Sequence, residues 1–343
     1  MRRSAEPAVW FPAIKAGSGT DVFTQRLVKG LRQRGIKAEI TWLPHRAEYA
    51  PWTVTVPRVP GWANIAHINT WLHPRFIPQN LRVVATIHLC VHDPHLEAFK
   101  TPLQRLYHRL WIRLVEARTL QRADVVTAVS RYSANRTLEV FRCQNIHVIY
   151  NGVDTKMFHP LPRSKPNTPF RLLYVGNWSE RKGADLLAPI LRELGDGFEL
   201  VYTTDRSGRH RRYKLPSNCR SLGRLNDNEL VRAYQTADAL LFPSRLEGFG
   251  LVAAEAMACG LPVIGAAASS LPEVVEHGKT GFLCPVDDVP AFAAAVRNLA
   301  SDPALWQAMR RGASQRVHKL FDLASQIERY VLIYRQVSGD CDG

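Results

Sequence analysis

Residues 239 to 260, ALLFPSRLEGFGLVAAEAMACG, constrain the fold more than any other stretch of this 343-residue chain. Ala239 to Phe242 is a short, wholly apolar run, the mark of a strand covered on both faces, and Pro243 and Ser244 end it. Gly248, Phe249 and Gly250 then permit a close turn into a helix starting near Leu251, which Ala253, Ala254, Ala256, Met257, Ala258 and Cys259 make nearly apolar. A buried strand leading straight into a buried helix is a repeat of a parallel α/β sheet. The turn reads as a phosphate site, because a helix N-terminus carries unpaired N–H groups and partial positive charge, and glycine lets an anion approach the backbone.

Glu247 and Glu255 bracket this turn. Eight helical residues span about 12 Å, and the bent loop brings the pair closer, so a diphosphate on the turn could place a hydroxyl-rich group by each carboxylate. Taken singly, Glu247 is an ordinary first-turn acid and Glu255 a solvated helix residue. The apolar flanks of Glu255 argue instead that its charge needs a partner.

The segment resembles the donor-site signature of the large retaining GT-B glycosyltransferase family, group 1, in which two glutamates are separated by seven residues. The likeness runs from Asn218 to Asp288, through LGRLNDNELVRAYQTADALLFPS before the turn and GLPVIGAAASSLPEVVEHGKTGFLCPVDD after it. It implies an α/β chain of two doubly wound, Rossmann-like domains facing across a cleft. It further implies retaining transfer of a sugar from a nucleotide diphosphate sugar, with no metal and no other cofactor. Glu255 then binds the ribose hydroxyls and Glu247 the sugar ring, while the amides of Phe249, Gly250 and Leu251, with Lys182, meet the diphosphate. The base lies by Leu222, and Glu273 is a further acid near the donor, although Ala268 and Ser269 replace the family's paired glycines. In Gly176-Asn177-Trp178-Ser179-Glu180-Arg181-Lys182-Gly183 the family's arginine position is Asn177, so either Arg181 supplies the missing charge or the cationic clamp is weaker. A basic pair at a helix start is unfavourable without an anion.

The rest of the chain supports a two-domain reading. Ala8 to Pro12 reads as a strand, residues 15–21 as a loop with Gly17 and Gly19, and the stretch ending at Gly35 as a helix, followed by a strand over Lys37 to Leu43. In the family this first loop faces the reacting sugar. Pro44 to Ala63 is irregular yet rich in apolar residues, with Trp52 and Trp62, and is either packed or built to touch a partner. Strands follow over Ala63 to Asn69 and Leu81 to Leu89. His88 ends the second and matches a family histidine beside the donor sugar. His88, His92 and His95 suggest a metal site by spacing, but Pro94 interrupts the run and no carboxylates complete a shell. Thr101 to Ala123 reads as a helix with Leu103, Leu106, Tyr107, Leu110, Trp111 and Leu114 on a core-facing side and a basic solvated side; the alternative is a helix resting on anionic lipid. Asp124 to Ser130 and Ile146 to Asp154 complete a first domain, 1–158. Four prolines mark a linker, 159–169, before a donor-binding domain, 170–321, with strands at Phe170 to Val175 and Glu199 to Thr203 and a basic loop over Arg206 to Lys214. A terminal helix, 322–343, returns to the first domain by the resemblance. Asp340-Cys341-Asp342 has the form of a metal-binding D-x-D but sits in the tail and reads as chance.

Composition excludes several classes. With 46% apolar and 22% charged residues the chain is globular, no run reaches the length of a membrane span, and the N-terminus lacks a secretory signal. Six cysteines without a C-x-x-C pair read as reduced thiols of a cytoplasmic protein. The net charge of +15 raises nucleic-acid binding, but the basic residues are not interleaved with aromatics in any recognised module. Residues 1 to 158 hold 22 Lys and Arg against 10 Asp and Glu, an asymmetry that suits an acceptor domain on an anionic membrane surface. The expected acceptor is a lipid-linked or lipopolysaccharide-type glycan of the cell envelope. The alternatives are a GT-B nucleotide-sugar epimerase and a soluble transferase with a small acceptor.

Overall fold

A computed structural model describes residues 6–143, 145–204 and 208–339. It divides into two compact units, Met1–Gly152 with Ala324–Gly343, and Val153–Leu323. The proline-rich stretch 159–169 belongs to the second: Arg163 forms a 2.6 Å ion pair with buried Asp238 and donates to the Ala237 carbonyl, and Asn167 also binds Asp238. Proline removes regular hydrogen bonds from this stretch, and the Asp238 carboxylate replaces them.

The first unit is built on six parallel strands, β1 (Val9–Ile14), β2 (Ala38–Leu43), β3 (Ile65–Asn69), β4 (Arg82–Ile87), β5 (Val125–Ala128) and β6 (Ile146–Val148), ordered β2-β1-β3-β4-β5-β6. The second repeats the plan with β7 (Phe170–Tyr174), β8 (Phe198–Thr203), β9 (Cys219–Gly223), β10 (Ala239–Phe242), β11 (Val263–Ala266) and β12 (Gly281–Cys284), ordered β12-β11-β10-β7-β8-β9. All pairings are parallel, so each sheet needs helices on both faces, and the central strands are accordingly mostly apolar, as at Ala239–Phe242, where no residue is more than 2% exposed.

In each sheet the first strand lies inside and the chain winds outward from it in both directions. The strand order therefore reverses between β1 and β3 in the first unit and between β7 and β10 in the second. Loops leaving the carboxyl ends of those neighbouring strands diverge, and a crevice opens between them; in doubly wound sheets that is where ligands bind.

The helix Leu323–Gly339 completes the first unit. It lies so close to the helix Gly19–Gln33 that a Cβ on Gly30 would stand 2.0 Å from Ile327 Cδ1, which only glycine avoids. Its Tyr334 hydroxyl hydrogen-bonds buried His67 Nδ1, and His67 Nε2 meets Thr86 Oγ1 at 2.7 Å.

The segment Pro102–Tyr107, the π turn His108–Ile112 and Arg113–Arg122 run on as one helix, opened by a capping box between Thr101 and Gln104. Its apolar residues do not form the single core-facing side expected. Ile112, Val115 and Leu120 point inward and Tyr107 and Trp111 are half-buried, whereas Leu103, Leu106, Leu110 and Leu114 face solvent. The segment has more large apolar residues than one buried stripe accommodates, and the packing selects the set beside Glu48 and the strands. Trp52 is exposed, but Trp62 is half-buried and covered by Lys37, whose ammonium sits 4.9 Å from the ring centre. The five cysteines among the described residues are free thiols. Part of the basic loop and the Asp340-Cys341-Asp342 tail lie outside the described residues.

Candidate active site

In the second unit the two loops at the strand-order reversal carry the charged residues. After β7, residues 176–183 lead through the short turn Glu180–Lys182 to Gly183, which opens the helix Ala184–Leu194 at φ +67°. A Cβ on Gly183 would lie 2.1 Å from the Pro243 carbonyl oxygen, so this glycine lets the β7 and β10 loops touch. Lys182 Nζ donates to Glu247 Oε1 at 2.6 Å, and Arg181 donates to the Leu246 carbonyl at 2.7 Å. Arg245 ties the loops from the other side, with a bidentate pair to Asp185 at 2.8 and 2.7 Å, a 2.6 Å bond to Asp287 and a bond to the Glu180 carbonyl.

Glu247 is 7% exposed. Burial opposes its charge, but Lys182 and Arg181, with hydrogen bonds from Lys182 and Ser244, outweigh it and hold the carboxyl below the usual range. Burial lowers the Lys182 pKa, and Glu247 works against that. The Glu247 backbone is fixed at both ends, its N–H donating to Ser269 Oγ at 2.8 Å and its carbonyl accepting from Ser270 Oγ at 3.0 Å.

Gly250, at φ +93°, caps the helix Leu251–Ala258 without a side-chain hydrogen bond, and Phe249 packs edge-on against Phe321. The first turn of this helix contains no acidic residue, leaving its partial positive charge unmatched by its own side chains. Glu255, one turn on, is 6% exposed and accepts from Tyr234 Oη at 3.5 Å; it is a buried acid, not the solvated one that helix position alone suggests.

Lys182, Arg181, Glu247, Phe249, Gly250, Leu251 and Glu255 thus lie on two adjoining loops and one helix. Leu222 is on the edge strand β9, three strand spacings or about 14 Å from β10, and lines a groove with Arg220 and Arg232. Glu273 lies in the short helix Leu271–Val274, where its carbonyl accepts from Arg316.

In the first unit the strand-order reversal holds a cavity of about 390 Å³. The loop after β1 supplies Ala16 and Ser18, the first turn of the helix Gly19–Gln33 supplies Thr20 and Asp21, β3 and its loop supply Asn69 and Trp71, and His88 follows directly on β4. Gly17, at φ +66°, and Gly19 shape the first loop, but the amides of Ala16 and Gly17 are already held by the Asp21 carboxylate at 3.3 and 2.8 Å. The cavity wall is mainly aromatic and holds no lysine or arginine, with Asp21 and Glu48 its acids, where the other site is built on ion pairs. Burial lowers His88 to about 4, and burial with neighbouring His88 lowers His67 to about 3, so both imidazoles are neutral at pH 7. His92 pairs with Glu116 and His95 with Asp93, so the three spaced histidines do not converge; no metal-ligating cluster occurs among the described residues. Asp21, Glu48 and Arg245 belong to the two sites and went unmarked by the motifs, and Ser269, marked only as a replaced glycine, holds the Glu247 amide. A lone arginine just before Glu247 was the one available signal.

Residues 159–316 match the family model for glycosyl transferases group 1, and residues 62–157 match that for Glycosyltransferase Family 4. Glycogen synthase of Mycobacterium tuberculosis is 33% identical over 279 residues, covering 76% of this chain and 65% of the relative. Among solved structures, sucrose-phosphate synthase from Thermosynechococcus elongatus superposes with a TM-score of 0.77 at 21% identity, over 96% of this chain and 98% of that one. Anabaena HepE in complex with UDP and glucose superposes with a TM-score of 0.72 at 17% identity, over 95% and 99%. The chain spans slightly under two thirds of the length of the curated relative, and its fold is the GT-B architecture of the solved structures.

Proposed function

We propose that this chain, matched by the group 1 glycosyltransferase model over most of its second unit, transfers a sugar from a nucleotide diphosphate sugar to an acceptor with retention of configuration. The observation that carries the reading is the meeting, at one strand-order reversal, of a half-buried lysine paired with a buried carboxylate and a helix N-terminus free of acidic side chains. In this reading the diphosphate sits on the amides of Phe249, Gly250 and Leu251, and Lys182 reaches it from the β7 loop. Charge grows on the leaving diphosphate as the glycosidic bond breaks, and fixed donors in a dry site stabilise it most there. Arg181, held to the Leu246 carbonyl, positions the loop and adds positive field in place of the arginine absent at Asn177.

Glu247 accepts from sugar ring hydroxyls while keeping Lys182 oriented, and Glu255 accepts from the ribose hydroxyls. Glu273 and Leu222 border the nucleotide. Lys182 and the amides do the work a divalent ion does in other sugar transferases, so no metal is required. The first unit receives the acceptor in its aromatic cavity, where neutral His88 donates or accepts a hydrogen bond without adding charge. The UDP and glucose held by HepE, and the sugar-polymerising and sugar-phosphate products named for the relatives, support a nucleotide-linked hexose as donor. An envelope glycan on a lipid carrier is the acceptor class that suits the basic first unit.

Thermal melts with UDP, GDP, ADP and dTDP sugars, in EDTA, test the donor assignment. One nucleotide sugar should raise the melting temperature in proportion to the logarithm of its concentration. No shift with any of them would remove the donor site, and activity lost in EDTA but restored by magnesium or manganese would overturn the metal-free mechanism.

A further inference from the structure

We infer that the outer face of the helical segment 102–122 is a docking surface for an anionic lipid bilayer. Leu103, Leu106, Leu110 and Leu114, spaced three and four apart, form a stripe along the segment and are 53 to 76% exposed. A helix of a monomeric domain turns such a stripe inward. Here the inward positions are already filled by Ile112, Val115 and Leu120, so the leucines form a second apolar face with nothing over it. Trp52 extends the stripe sideways: it is 64% exposed, and its ring meets Trp111 edge-on with centroids 6.3 Å apart.

Charge identifies the occupant. Arg105, Arg109 and Arg113 each precede a stripe leucine, are exposed, and form a row along one flank. From Ala98 to Ala123 the sequence holds one acid, Glu116, which is 2% exposed and bonded to Thr70 and His92. Glu97, at the foot of the segment, pairs with Lys100 and stands 3.9 Å from Arg105; beyond it the face is apolar at its crest and cationic at its side through Arg109 and Arg113. A second copy docked on it would set arginine against arginine. A bilayer with anionic headgroups meets both parts, with leucines and the Trp52 ring among the upper acyl chains and guanidinium groups at the phosphates. The same helix borders the cavity, since Trp111 Nε1 donates at 3.0 Å to the carbonyl of Glu48, a residue of the cavity wall. Resting on the transferase reading, this arrangement takes an acceptor whose polar head enters the cavity while its lipid stays in the membrane.

The test is sedimentation of the full chain with vesicles of phosphatidylcholine alone or mixed with phosphatidylglycerol. Binding should require the anionic lipid and weaken with salt. Leu106→Ser with Leu110→Ser should lower the partition coefficient at least tenfold, and Arg109→Gln with Arg113→Gln about fivefold per charge. These side chains are exposed, so the variants should melt as the parent does. Equal binding to both vesicle types, binding to neither, or variants that bind like the parent would overturn the proposal, as would a dimer in sedimentation velocity that the leucine variants dissolve. Donor-induced thermal shifts, read on the same samples, should be unchanged in every variant. Their absence from the parent would count against the transferase reading while leaving the vesicle result to stand.

Discussion

The two units share one topology and place a crevice at the same point of it, yet the crevices are chemically opposite. The second unit's is built from ion pairs: Lys182 with Glu247, Arg245 with Asp185 and Asp287, and a helix N-terminus without its own counter-charge. The first unit's is lined by Phe11, Trp42 and Trp71 and by imidazoles that burial keeps neutral. Topology decides where a ligand sits, and the side chains at the strand ends decide whether it is an anion or a neutral, ring-bearing molecule. Net charge gives the reverse impression, since the basic excess lies in residues 1–158. None of the described lysines and arginines of that unit lines the cavity.

Acid should separate the units most. Buried His67 and His88 have pKa values of about 3 and about 4 when folded, well below the ordinary 6.5, so the unfolded chain binds their protons first. Their contribution is complete above pH 6.5 and is lost as pH falls toward 4, on the order of several kcal/mol in all. Glu247 is depressed from an already low value, so its contribution begins to fail only near pH 4.5. Hydrogen exchange at pH 7.5 and 5 should show loosening of β3 and β4 while β7 and β10 remain protected; uniform loosening would erase the distinction.

Next in size is the effect of Lys182→Ala, which should lower kcat by about 10² to 10³, the usual loss when one donor to a developing anion is removed. Lys182→Arg should restore part of it. Rapid-quench turnover with saturating donor would measure this, and an unchanged kcat would dismiss the ionic crevice as chemistry. Glu255→Ala should raise the donor KM about ten- to a hundredfold, with a smaller change in kcat, because hydrogen bonds to a charged group are worth about 1.5 to 3 kcal/mol in the ground state as well. The smallest effect belongs to the first unit. Tyr334→Phe strips the partner from buried His67 Nδ1 and should destabilise by about 1 to 3 kcal/mol, read by denaturant titration, while leaving donor affinity untouched. A change in donor affinity would mean that the two crevices are coupled.

Much of this was legible in the chain. The apolar run at Ala239–Phe242, the glycine turn and the helix from Leu251 lie where local pattern puts them, because a strand buried on both faces shows in composition alone. Four- and five-residue strands such as Val263–Ala266 and Cys219–Gly223 are too short to carry a period, and only their partners in the sheet identify them. The ties among Arg245, Asp185 and Asp287 span 42 to 60 positions, and no local pattern encodes such a distance. The helix 102–122 misled for another reason: it carries two apolar faces, and periodicity reports that a face exists without saying which one the protein covers.

The return of Leu323–Gly339 to the first unit also sets an order of assembly. A ribosome releases residues 153–323 before the helix whose Ile327 closes over Gly30 and whose Tyr334 engages His67. The unit begun first is therefore finished last. Until then its sheet waits with a bare groove along the helix Gly19–Gln33, while the inserted unit has every one of its own strands in hand and is free to fold.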